Sequence, residues 1–117
     1  MSETKTTVLI QRLHRRTADG TIAWEKAVDE AVFRATFGST SVAILPEQTS
    51  DGWGGYRDST VLRIYNDEGV LIEEISSDNV GQRALSEMMQ STYELARRQA
   101  MGVDKILDSL LKELEPS

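Results

Sequence analysis

Apolar and polar positions change their period twice along this chain, from helical to alternating and back. From about Ser2 to Thr17, Val8, Leu9, Ile10 and Leu13 make one apolar stripe, which predicts a helix capped by Ser2 or Thr4. Asp19-Gly20 ends it, because glycine tolerates the left-handed conformation that closes many helices. The polar side of this helix carries Lys5, Arg12, His14, Arg15 and Arg16.

Between Thr21 and Ser76 the period is two. Ile22 and Trp24 alternate with Ala23 and Glu25. Ala31, Phe33, Ala35 and Phe37 alternate with Val32, Arg34 and Thr36, the pattern of a half-buried antiparallel strand. Gly38-Ser39-Thr40 turns into "SVAIL", where Val42 and Ile44 share a face. "TVLRIY" and "VLIEEI", separated by "NDEG", read as a hairpin. Leu62 and Ile64 occupy one face of the first of these strands, and Val61, Arg63 and Tyr65 the other. In the second, Leu71 and Ile75 share a face opposite Val70 and Ile72. Pro46 to Asp58 then reads as a connection of ~13 residues, longer than an ordinary hairpin loop.

Helical spacing returns after "SSDN", which offers Asp78 as a cap, with Leu85, Met88, Met89, Thr92, Leu95 and Ala96 on one stripe. A second stripe of Val103, Ile106, Leu107, Leu110, Leu111 and Leu114 follows Gly102, where a break or kink is expected. Together these patterns predict one α+β domain over residues 1–117. It has an N-terminal helix, a five-stranded antiparallel meander, and one or two C-terminal helices packed on one sheet face.

Composition narrows the chemistry. The chain has 117 residues, 39% of them hydrophobic and 27% charged, as in ordinary globular proteins that bury one modest core. Its net charge of -6 weighs against nucleic acid as a partner, and the basic helix lacks the interleaved aromatics of a nucleic-acid stripe. Arg12, Arg15 and Arg16 are more simply a solvated face, or a contact for acidic groups elsewhere in the chain or on a partner. Absence of cysteine excludes disulfides and thiolate chemistry and fits a cytoplasmic location. The start, "MSETKTTVLIQRLHRR", has only a short apolar run at Val8–Ile10, so neither a signal peptide nor a membrane span is expected.

Candidate sites are few. "SDGWGGYRDS" (50–59) is rich in glycine, but a strand follows it where a phosphate-cradling loop would lead into a helix, and no lysine stands beside it. Trp53 and Tyr56 either fold back on the sheet edge or serve as contact anchors. His14, the only histidine, is expected to be solvated. The pairs Asp29-Glu30 and Asp67-Glu68 fall in turns, where acids are common. Glu73 and Glu74 are strand neighbours that point to opposite faces, so they cannot share an ion. No catalytic, cofactor-binding or metal-binding constellation is expected.

The stretches "VLRIYNDEGVLIEEIS" and "YELARRQAMGVDKILDSLLKELE" resemble small stand-alone bacterial proteins that are uncharacterised. That resemblance implies a bacterial cytoplasmic protein and supplies no catalytic residue. The leading expectation is a non-enzymatic interaction module that self-associates through Ile106, Leu107, Leu110, Leu111, Leu114, Trp53 and Tyr56. The alternative is a small-ligand sensor with a pocket between sheet and helices, beneath the glycine-rich loop. A hydrolase or transferase built on scattered carboxylates ranks last.

Overall fold

A computed structural model describes residues 4–29 and 31–116. Ser2 and Glu30, named above as a cap and as half of an acidic pair, lie outside the described residues. Helix α1 (Lys5–Ala18) begins at Thr4, whose hydroxyl accepts the Thr7 backbone N–H, and ends at Asp19, followed by Gly20 with φ 76°. The cap satisfies one of the donors that every helix start leaves open.

The sheet follows in chain order: β1 (Glu25–Lys26), β2 (Phe33–Phe37), β3 (Thr40–Ser50), β4 (Tyr56–Tyr65) and β5 (Leu71–Ser76). Every neighbouring pair is antiparallel and the order is β1-β2-β3-β4-β5, a meander. Alternation places Phe33, Ala35, Val42, Ile44 and Leu62 on the face covered by helices. Arg34, Ala43, Arg63 and Glu74 lie in register across the other face, where Arg63 meets Glu74 at 2.9 Å and Arg34 lies 5.3 Å from the centre of the Tyr65 ring. The register shifts between Ile64 and Tyr65, so Leu71 sits opposite Tyr65 rather than in step with Ile75. A shift of this kind breaks strict alternation, and Val70, Leu71 and Ile72 are all exposed.

Helix α2 (Arg83–Ala100) packs across the sheet and beside α1. Its start is Gln82, without a side-chain cap; the expected cap, Asp78, instead faces Arg57 at 3.7 Å. The core joins Ile10 and Leu13 of α1, Trp24, the inward strand residues, and Leu85, Met89 and Ala96 of α2. Large side chains buried this fully contribute about 1.5–3 kcal/mol each. The chain then turns at Gly102, in the left-handed region at φ 63°, into α3 (Val103–Glu113). The expected break is therefore real, and glycine is the residue that adopts it without steric cost.

Two elements project from this packed body. α3 touches no element but α2 and buries none of its residues. β3 and β4 run on past the rest of the sheet as a two-stranded arm, pairing Pro46↔Thr60 out to Ser50↔Tyr56. The long connection expected over 46–58 is thus mostly paired strand, with only 51–55 as its tip. These projections leave a radius of gyration of 16.3 Å, where a compact chain of this length has about 13 Å.

Candidate interaction surfaces

At the arm's tip, Asp51 writes the turn. Its Oδ1 accepts the Trp53 N–H at 2.7 Å and the Gly55 N–H at 3.1 Å, and its own N–H donates to the Gly55 carbonyl at 3.1 Å. Gly52 and Gly54 supply the positive φ values, 83° and 85°. This ordered tip holds Trp53 at 92% exposure and Tyr56 at 75%, so neither ring folds back on the sheet. An indole held out in water by a hydrogen-bonded turn has the form of a contact anchor. At the arm's base, the Ser77 hydroxyl accepts the Thr60 N–H at 2.8 Å while the Ser77 N–H donates to the Thr60 carbonyl at 2.8 Å.

Between the arm and α2 lies a groove of about 570 Å³ whose lining includes Gln48, Asp58, Thr60, Gln90, Tyr93 and Glu94. Tyr93 donates its hydroxyl to the Ala31 carbonyl at 3.0 Å and meets Phe33 edge-on, with centroids 5.7 Å apart. Burial pushes its phenol above the ordinary value, the neighbouring Glu94 carboxylate adds to the rise, and Arg97 opposes it. Among the described residues no cluster of three or more His, Asp or Glu side chains could hold a metal ion.

The second surface is α3. Ile106, Leu107, Leu110, Leu111 and Leu114 are all exposed, Leu114 at 76%. At about 100° per residue these five and Val103 form one stripe less than half the helix wide. Asp108 borders one edge of it and Glu113 the other, while Lys105 and Lys112 lie behind. Asp104 is already held by Arg98 at 2.7 Å. All five apolar side chains singled out from the sequence therefore lie on one accessible face, with none spent on the chain's own core.

Of the third surface, the sequence pointed only to Arg12 and Arg16, as contacts for acidic groups, and gave no sign of the apolar cleft beneath them. Leu9, Arg12, Leu13 and Arg16 sit at helical spacing on one face of α1. With Ile22, Phe37, Thr40, Val42 and Ile64 they line an apolar cleft of about 290 Å³ at the β2–β3 turn end of the sheet. Arg12 and Arg16 are exposed at its rim, and among the described residues neither has a carboxylate within salt-bridge distance. Arg15, grouped with them in the sequence, does not line the cleft. His14 is not a solvated residue: partly buried, it lies 3.1 Å from the Ser91 hydroxyl of α2 and ties the two helices.

No helix among the described residues is long and apolar enough to cross a membrane. Comparison with known protein families, characterised proteins and solved structures found no match.

Proposed function

We propose that this chain is a non-enzymatic interaction module that self-associates, with α3 as its principal contact and the hairpin tip as a second. The observation that supports this reading is the state of α3: a helix with five large apolar side chains in water and no core of its own. An isolated helix of this length is marginal in water, so its stability calls for a surface to bury the stripe. Association through amphipathic helices of this form is a common mode of protein recognition. Size-exclusion chromatography with light scattering on the full chain and on a Leu110→Asp/Leu114→Asp variant tests it. The expected result is a dimer or higher species that the variant reduces to a monomer of unchanged circular dichroism. A wild-type monomer at every concentration overturns the proposal.

A second reading, a sensor for a small ligand, draws on the groove below the hairpin tip. Its Glu47, Asp58 and Glu94 carboxylates and its amide and hydroxyl groups suit a polar cation rather than an anion. A thermal-shift screen with polyamines and other organic cations separates the readings, since a flat response removes this one.

A further inference from the structure

We infer that the α3 stripe of one copy seats in the α1–sheet cleft of a second copy, so that a symmetric pair exchanges its C-terminal helices. The inference rests on the self-association reading and adds the receiving surface. Apolar character matches on both sides: the cleft is walled by Leu9, Leu13, Ile22, Phe37, Val42 and Ile64. Its volume of about 290 Å³ compares with roughly 30 Å³ per water, so it admits whole side chains. Length matches as well. The cleft face of α1 runs from Leu9 to Arg16 and the heart of the stripe from Leu107 to Leu114, each two turns, or about 10 Å.

Charge decides between this arrangement and the simpler one in which two α3 helices pair with each other. Acids border both edges of the stripe, Asp108 on one side and Glu113 on the other, and the lysines lie behind it. Two such helices face to face bring carboxylate against carboxylate, which disfavours the pair. The cleft offers the opposite sign, with Arg12 and Arg16 at the rim and no carboxylate paired to either among the described residues. Guanidinium groups there meet the acidic borders of the helix while the leucines enter the apolar floor. In a two-fold pair, each chain gives one helix and one cleft, so the contact closes without free ends.

Complementation tests this. A cleft variant, Arg12→Glu/Arg16→Glu, and a helix variant, Leu110→Asp/Leu114→Asp, alter only exposed side chains, and circular dichroism checks that each is folded. Each alone is expected to raise the dimer dissociation constant about a hundredfold, as like-charge contacts or lost apolar burial do. Mixed, they regain one intact helix–cleft contact and form a heterodimer. In the otherwise cysteine-free chain, Thr40→Cys on one copy is expected to cross-link under mild oxidation with either Leu107→Cys or Leu114→Cys on the other, whichever end of the stripe reaches the β2–β3 turn. A cleft variant that still dimerises like wild type, with no cross-link, overturns the exchange while leaving self-association standing. A wild-type chain that is monomeric throughout overturns both. A monomer whose melting temperature rises with decanoate assigns the cleft to a small anionic amphiphile and likewise overturns the exchange.

Discussion

The indole N–H of Trp24 donates to the hydroxyl of Thr17 at 3.0 Å, with both residues buried. The same residue's backbone N–H donates to the Gln99 side-chain oxygen at 3.1 Å. One tryptophan thus ties the end of α1 and the end of α2 to the segment that leads into the sheet. Thr17→Val keeps the shape and removes the acceptor, leaving a buried donor unpaired. The expected cost is about 1–3 kcal/mol, read by urea denaturation, whereas Thr17→Ser retains most of the stability. A Thr17→Val chain as stable as wild type would mean that the bond is not made in solution.

Asp51 acts more locally. Asp51→Ala removes the acceptor for two backbone donors at an exposed tip, so global stability should change by no more than about 1 kcal/mol. Amide exchange across 47–59 should quicken, because a two-stranded arm without other strands at its sides is weakly held. Exchange in the core strands should not change. Protection of the arm equal to wild type would show that pairing, not the turn, sets its order.

Asp51 also explains where the sequence was harder to read. The β4–β5 hairpin uses the same device: Asn66 Oδ1 accepts the Glu68 and Val70 N–H groups at 3.0 Å each, and the Asn66 N–H closes on the Val70 carbonyl. "NDEGV" was legible because β-branched runs flank it. "DGWGG" is flanked by "PEQTS" and "YRDS", where only Ser59 at the arm's base is buried, so no apolar face runs along the arm. Period-two reasoning has nothing to detect there, and the remaining signal was an Asp or Asn opening a five-residue loop. The meander and α2 were legible for the opposite reason, since burial on one side imprints its period on the sequence, and the break at Gly102 was legible from the glycine itself. The cleft was not, because it depends on which face of α1 the sheet leaves uncovered.

Gly102 sets the direction of α3. Alanine at φ 63° bears a left-handed penalty of about 1–2 kcal/mol, so Gly102→Ala favours a continuous α2–α3 helix. In the Leu110→Asp/Leu114→Asp background, where a single chain is expected, small-angle scattering should show a radius of gyration above that of the same variant with Gly102 kept. The Arg98–Asp104 contact at 2.7 Å should be lost with it. An unchanged radius would mean that this contact, rather than glycine, holds the corner.

Tyr93 adds an alkaline dependence to stability. Burial raises its pKa above the ordinary value of 10.0, so the folded state holds the phenolic proton more tightly than the unfolded chain. Its contribution to stability is therefore fully present below about pH 10 and is lost as pH rises through the folded value, where a phenolate would face the Ala31 carbonyl. Tyr93→Phe should cost about 0.5–1.5 kcal/mol at neutral pH through the lost hydrogen bond. It should also flatten the fall in stability between about pH 9 and 12. Urea midpoints measured across that interval check the sign directly: wild type and variant should converge as pH rises. A constant gap between them would mean that Tyr93 ionises alike in both states.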